Sequence, residues 1–257
     1  MMETKIKNRK ITLGTKEWAD SNVNCFYGCS NDCRYCYAKK MAIRFKRKTS
    51  ESWKFMVPNQ KNIDKSYKKR KGRVMFPTSH DITEESLSGC FIVLKKLLRS
   101  GNDVLITTKP NFVCVSSICE NFNKFKNLIQ FRFTITSLSS ILLKFWEPGA
   151  PSFEERLKSL KYAFKKGYKT SISIEPFLDE NPLELVDKLK PYVTESIWIG
   201  KMNYLQSSIN TQKDKVYYEQ IRLINTKENL SKIISKAEFH NKKLVRIKDS
   251  IFNFLYG

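Results

Sequence analysis

Acidic residues are scarce in this sequence. Twenty-five Asp and Glu stand against 47 Lys and Arg in 257 residues, leaving a formal charge of +22. Long apolar runs are missing as well: no stretch approaches the roughly 18 apolar residues of a membrane span. The N-terminal MMETKIKNRK is basic but is followed by no apolar run, which argues against a secretory leader. Histidine occurs only as His80 and His240, and no exact internal repeat is visible. What is present is a hydrophobic fraction of 41%, enough for a real core and too much for a disordered tail protein. The expectation is a soluble, cytoplasmic protein without membrane attachment. Thiols in that setting are kept reduced, so clustered cysteines point to metal or redox chemistry rather than to disulfides.

The positive charge is unevenly placed. From Tyr37 to Arg73 fourteen Lys and Arg face two acids, Glu51 and Asp64, a net +12. Phe45, Trp53, Phe55 and Tyr67 are interleaved with them. Phosphate contact together with base stacking requires that pattern, so nucleic acid is the leading partner, and a solvated basic surface is the plainer reading.

Beyond residue 72 the pattern is regular. Strand-like runs GRVMFPTS, DVLITTK, LIQFRFTITS, YKTSISIEPF and ESIWIGKMNY alternate with helical spacing. The helix of PSFEERLKSLKYAFKKG is expected to bury Leu157, Leu160, Ala163 and Phe164, with Gly167 as its stop. With a first strand near Asn22 to Cys25, about six βα units result. That is short of the eight in a closed TIM barrel. The fold expected is α/β, a partial (β/α)6 TIM-type barrel with parallel strands. The barrel spans 1–205 with a basic insertion at about 37–73, and a C-terminal helical extension spans 206–257.

Cys25, Cys29, Cys33 and Cys36 crowd into NCFYGCSNDCRYC. Three thiolates on one tight loop can serve one metal centre. Four could wrap a zinc ion, with Cys25 as the fourth ligand. In a [4Fe–4S] cluster three local thiolates leave one iron open to a ligand. Cys90, Cys114 and Cys119 lack partner spacing and read as buried small hydrophobes.

CSNDCRYC resembles the radical S-adenosylmethionine (SAM) signature C-x3-C-x-aromatic-C, with Tyr35 as the aromatic. The surrounding N-x-F-x-G-C and CRYCYA, together with ITTKP, FTITS and FWEPGAPSFEERL, are similar to the branch containing spore photoproduct lyase and DNA repair photolyase-like proteins. The resemblance covers roughly residues 22–204. It implies that Cys29, Cys33 and Cys36 hold a [4Fe–4S] cluster whose open iron chelates SAM, that Cys25 is not a ligand, and that the fold is a partial barrel. The implied activity is reductive cleavage of SAM and hydrogen abstraction from a substrate, with nucleic acid the leading candidate, in a lyase-like DNA repair or nucleic-acid-modifying reaction. An electron donor such as a flavodoxin-like protein is then required. The rival reading is a non-catalytic nucleic-acid-binding protein stabilised by zinc or an Fe–S cluster. Spore photoproduct lyase uses an additional cysteine as hydrogen donor just beyond strand 2. This chain has PTSHD there, which argues against dimer reversal by that route.

Chemistry in a parallel barrel gathers at the C-terminal ends of the strands. Thr78 to Asp81, Thr107 to Lys109, Thr136 and Ser137, Glu175, and Lys201 to Asn203 fall there. Lys109 is expected to pair with the SAM carboxylate, Ser137 to donate to it, and Glu175 to accept from an amine or ribose hydroxyl. His80 is a candidate by position, and His240 reads as a solvated side chain. Glu147 and Arg156 read equally as an ion pair or as cofactor contacts.

Overall fold

The computed structural model describes residues 11–205, 211–240 and 243–257; the basic stretch considered as a leader lies outside them. Among the described residues nine strands form: β1 (Ser21–Asn22), β2 (Phe26–Tyr27), β3 (Val57–Pro58), β4 (Arg73–Phe76), β5 (Asp103–Thr108), β6 (Ile129–Thr134), β7 (Lys169–Ile174), β8 (Ile197–Ile199) and β9 (Val245–Ile247). β2 and β3 pair as a small antiparallel ribbon. The rest form one sheet in the order β1-β4-β5-β6-β7-β8-β9, every neighbouring pair parallel. Sequential parallel neighbours with helices between them make the expected partial barrel.

The C-terminal extension departs from the expectation. It contains the helices Gln212–Ile224, Lys227–His240 and Asp249–Tyr256, but Val245–Ile247 adds a seventh strand beside β8. Three residues inside the charged run NKKLVRIKDS carry too little apolar pattern to be read as a strand. They become one through the backbone of β8.

Side chains alternate across each strand, and here the alternation separates two environments. Val74, Phe76, Val104, Ile106, Phe131, Phe133, Ile172 and Ile174 pack under the helices in the main core. Met75, Thr107, Thr134 and Ser173 point the other way, into the bore. The bore is thus polar and small-residued at its upper end, which leaves room for a ligand.

Residues 11–18 fill the gap between the two edge strands. The Thr12 amide donates to Asp249 Oδ2 at 2.8 Å, and the Asp249 amide donates to Glu17 Oε1 at 2.9 Å. Trp18 enters the bore, edge-on to Trp198 at 5.9 Å and stacked under the Arg132 guanidinium at 4.5 Å.

The helix Phe153–Lys165 begins at Ser152, whose hydroxyl accepts the Glu155 amide, and ends before Gly167 at φ 76°. Its buried stripe is Phe153, Arg156, Ser159, Leu160 and Ala163. Phe164, expected on that stripe, is exposed. A hydrophobicity count cannot place Arg156 inward, because its partner, Glu147, comes from another element. Leu160→Ala is expected to cost about 2–5 kcal/mol, read as a lower urea midpoint at unchanged slope. Phe164→Ala should cost far less.

Candidate functional site

The cysteine loop is clamped from two sides. Gly28, at φ +90°, lies against the segment 53–55; a Cβ there would sit 2.5 Å from the Trp53 carbonyl oxygen. That carbonyl accepts the Cys29 amide at 3.0 Å. On the other side Gly149 lies against Ser30, its amide donating to Asn31 O at 3.2 Å, and the Arg34 amide donates to Trp146 O at 2.9 Å. Between these clamps the chain turns twice, with Asp32 at φ 42°. It then enters the helix Tyr37–Arg44, whose first amides Cys36 Sγ caps by accepting from Lys39 N.

This brings Cys29, Cys33 and Cys36 to one cavity of about 910 Å³ at the C-terminal ends of the strands. Burial raises all three thiols above their ordinary value: Cys33 to about 12, Cys29 well above it, Cys36 in the same direction. A bound cationic centre reverses that preference, since coordination requires the thiolate. Among the described residues no three Cys, His, Asp or Glu side chains converge on a position for a single ion. The three thiols instead border a shared space, the donor set that a polynuclear iron–sulfur centre takes, one thiolate per iron. The residues present fit that group. Cys25 does not join them. Its sulfur lies 3.7 Å from Cys90 Sγ and 3.9 Å from His80 Nε2, within the main core.

Two side chains pin the loop to the end of β4. Asn24 Oδ1 accepts from the amides of Thr78 and Ser79 at 2.7 and 2.9 Å, and its Nδ2 donates to Thr78 Oγ1. His80 Nε2 accepts from the amides of Cys25 and Phe26 at 3.2 and 3.3 Å. Its proton therefore sits on Nδ1 and is donated to Asp81 O at 3.0 Å. His80 positions the loop. His240 is at the surface, with Asp187 2.8 Å from Nε2, rather than simply solvated.

Lys109 lies at the strand end where it was expected. Asp81 accepts its amide at 2.7 Å and faces its ammonium at 3.7 Å, and Asn31 donates to the same carboxylate at 2.8 Å. Burial opposes the Lys109 charge, but Cys33, Tyr35, Asp81 and Glu147 outweigh it and hold the ammonium well above its ordinary value. Tyr35 presents its ring to Lys109 Nζ at 5.6 Å and donates its hydroxyl to Glu147. Glu147 also accepts from Thr136 at 2.8 Å and pairs with Arg156 at 2.5 Å, both partners of the pair fully buried. Burial pushes the Glu147 carboxyl up, and Arg156 with Lys109 more than offset it, so it ends below its ordinary value.

Ser137 does not serve the cavity. Its hydroxyl donates to Asp179, whose other oxygen accepts the Leu138 amide at 2.9 Å, so it closes a turn. Glu175 does line the cavity, next to Lys248 at 3.7 Å and Asn203 at 3.5 Å. Burial raises its carboxyl and Lys248 works against that rise. Lys248 also pairs with Glu17 and sits 4.0 Å over Trp18. Glu17, Trp18 and Lys248 form a floor that sequence reasoning missed, because its parts are some 230 residues apart. Gly200 permits it: a Cβ there would strike Glu175 and Lys248. Buried Thr107 Oγ1, Ser250 Oγ and the indole N–H groups of Trp18 and Trp53 have no protein partner, and all four residues line the cavity. Such groups are unfavourable unless a ligand or water meets them.

The rim is aromatic and basic. Tyr37, Tyr204 and Phe254 line the mouth, with Lys40 5.5 Å over Tyr204 and Lys201 4.6 Å over Phe254. The dense run Lys68 to Arg73 lies elsewhere. It leads into the start of β4, with Arg70 bonded to Asn102 before β5, at the N-terminal end of the strands.

No family model matches the sequence. An uncharacterised protein of Methanocaldococcus jannaschii, MJ0683, is 25% identical over 240 residues, 91% of this chain and 90% of that protein. ORF301 of Acidianus two-tailed virus is 26% identical over 176 residues, 64% of this chain and 57% of that protein. A spore photoproduct lyase variant with cysteine replaced by alanine matches with a TM-score of 0.57 and 17% identity, covering 94% of this chain and 81% of its own. Another variant, with AdoMet and dinucleoside spore photoproduct bound, gives 0.54 at 17%, over 93% and 79%. SuiB of Streptococcus suis bound to S-adenosylmethionine gives 0.52 at 13%, over 89% of this chain and 46% of SuiB. The chain has the fold of these proteins, an open α/β barrel of parallel strands.

Arg156→Met leaves Glu147 buried without its cation and should cost about 3–5 kcal/mol. The sign with pH is opposite in the two proteins. In the wild type the Glu147 pKa is depressed on folding, so its contribution is present above the ordinary value of 4.5 and lost as pH falls below it. Without Arg156 the carboxylate is a burden that protonation relieves. The stability gap measured by urea unfolding should therefore begin to narrow as pH falls toward 4.5 and keep narrowing below it.

Proposed function

We propose that this chain is a radical SAM enzyme acting on nucleic acid. One observation carries the reading: the three cysteines of a C-x3-C-x-aromatic-C loop border one large cavity at the catalytic end of a parallel barrel. Cys29, Cys33 and Cys36 would hold a [4Fe–4S] cluster. When bound, the cluster supplies an open iron and one electron for cleavage of the SAM sulfonium bond.

The chain's own groups then have definable tasks. Lys109, charged and held by Asp81, meets the SAM carboxylate. Tyr35, braced by Glu147, keeps the loop fixed against that ammonium. Thr107 and Glu175 offer a hydroxyl and a carboxyl to ribose or amine groups. Ser137 has no task here, because Asp179 occupies it.

The rim supports the substrate class. Tyr37, Tyr204 and Phe254 offer ring faces, and Lys40, Lys201 and Lys227 offer charge. A base drawn out of its stack can be held on such a rim while its backbone stays at the surface. Spore photoproduct lyase, which shares the fold, has dinucleoside spore photoproduct bound in three of the matched structures. Among the described residues no fourth thiol lines this cavity, so the proposed chemistry stops at hydrogen abstraction and includes no thiol donor.

Anaerobic reconstitution with iron and sulfide should give a reducible cluster, and reduction with SAM present should release 5′-deoxyadenosine. Cys33→Ser should abolish both. A cluster that forms and is reduced while SAM stays intact refutes the enzyme reading. For the substrate, Tyr204→Ala with Phe254→Ala should weaken binding of single-stranded DNA by about 1–3 kcal/mol for each base that no longer stacks. Replacing Lys40, Lys201 and Lys227 by Ala should flatten the salt dependence by about 0.7 for each phosphate no longer neutralised. Unchanged affinity and slope would remove nucleic acid as the substrate.

A further inference from the structure

The wall behind the cysteine loop carries a surface that the cavity does not use. Between Arg44 and Val57 lie Arg44, Lys46, Arg47, Lys48 and Lys54, with Glu51 as the one acid. Phe45 and Phe55 are 57% and 60% exposed, and Ile43, Val57 and Tyr27 are exposed as well. Arg47 lies 5.5 Å over Phe45 and Lys54 lies 5.3 Å over Phe55. Lys48 ties the segment together by donating to the carbonyls of Ser52 and Phe55. The result is an apolar centre ringed by cations. None of Arg44, Phe45, Arg47, Lys48, Lys54 and Phe55 lines the cavity.

This surface is also next to the thiols. Trp53 is buried against Cys29, and its carbonyl accepts the Cys29 amide at 3.0 Å. The carbonyls of Trp53 and Phe55 both lie against Gly28. From exposed Phe55, two residues of chain and one hydrogen bond lead to a proposed cluster ligand.

Resting on the radical SAM reading, we infer that this face docks an acidic one-electron donor protein, of the flavin or iron–sulfur class, and is where electrons enter. The donor loses one electron and the centre held by Cys29, Cys33 and Cys36 gains it; no atom is transferred. An apolar centre with a rim of one charge sign suits a small, transient interface with a partner of the opposite sign. A nucleic acid on this face would lie outside the cavity, with no route for its reacting atom to the reaction space. The location therefore favours the donor.

The test uses the reconstituted holoenzyme in stopped flow, following bleaching of the cluster absorbance. Flavodoxin photoreduced to its hydroquinone is the protein donor, and photoreduced 5-deazariboflavin is the small uncharged one. Arg47→Glu with Lys54→Glu, and separately Phe55→Ala, should slow reduction by flavodoxin at least tenfold. The charge variant should also flatten its salt dependence. Reduction by deazaflavin and affinity for single-stranded DNA should stay as in the wild type. A flavodoxin rate within twofold of wild type overturns the proposal. So does an equal slowing with deazaflavin, which would place the effect on the centre itself, or a loss of DNA affinity at an unchanged flavodoxin rate, which would assign the face to nucleic acid. A wild-type protein that assembles no reducible centre instead removes the radical SAM reading beneath it.

Discussion

A single buried carboxylate holds the upper end of this barrel together. Glu147 receives Arg156 from the helix Phe153–Lys165, Thr136 from the end of β6 and Tyr35 from the cysteine loop. Three elements distant in sequence thus meet on two oxygens. A charge taken out of water is tolerable only when its lone pairs are filled and a cation faces it. Here Oε1 accepts from Tyr35 and Thr136 and the Arg156 guanidinium faces Oε2, so the arrangement tolerates little displacement. The cysteine loop inherits that rigidity. Its aromatic residue is held by the network, Gly149 lies against it at Ser30 and Asn31, and Trp53 and Asp81 meet it at Cys29.

The same economy governs the bore. Three of its cations face acids: Lys109 faces Asp81, Arg156 faces Glu147, and Lys248 faces Glu17 and Glu175, while Arg132 lies over Trp18 and donates to Ser171 and Ser196. The large positive excess therefore lies on the outside. Inside, these pairs join residues from different elements, leaving a polar interior. In the proposed function a zwitterion with a ribose would meet complementary groups there, and little reorganisation would be needed to receive it. Thr107, Ser250, Trp18 and Trp53, whose hydroxyl and indole groups have no protein partner, line this volume, where a ligand would engage them.

How far the sequence revealed this depends on the range of each interaction. The thiol trio was legible because its geometry is local, three cysteines within eight residues. Lys109 and Glu175 were legible because strand ends are legible and parallel strands share one functional end. Ser137 was misjudged because a hydroxyl at a strand end looks the same whether it faces the bore or a turn; Asp179, forty-two residues on, decides which. Arg156 was noticed as half of a pair, but its place on the buried stripe was not, since burial of a guanidinium depends on a partner outside the helix. The floor of Glu17, Trp18 and Lys248 was out of reach. It exists only because the first and last described segments close the open side of the barrel. The short β9 was missed for the same reason, since pairing with β8 makes it a strand. Basic residues counted as one segment also divide in space, between the N-terminal end of the barrel and the wall behind Cys29.

That division bears on how such a site could work. A ligand filling the cavity would occupy the side of the thiol loop that faces the strand ends, and in the proposed function the rim above it holds the substrate. Electrons arriving through the mouth would have to pass both. The loop also rests on Trp53, and two residues further along the chain Phe55 is exposed outside the cavity. Delivery through that wall is compatible with a filled cavity, whereas delivery through the mouth is not. The paired charges of the bore stay in place in either case, because none of them belongs to the wall. In the proposed reading, substrate recognition and reduction can then be altered separately, by residues at the cavity mouth and by residues outside the cavity.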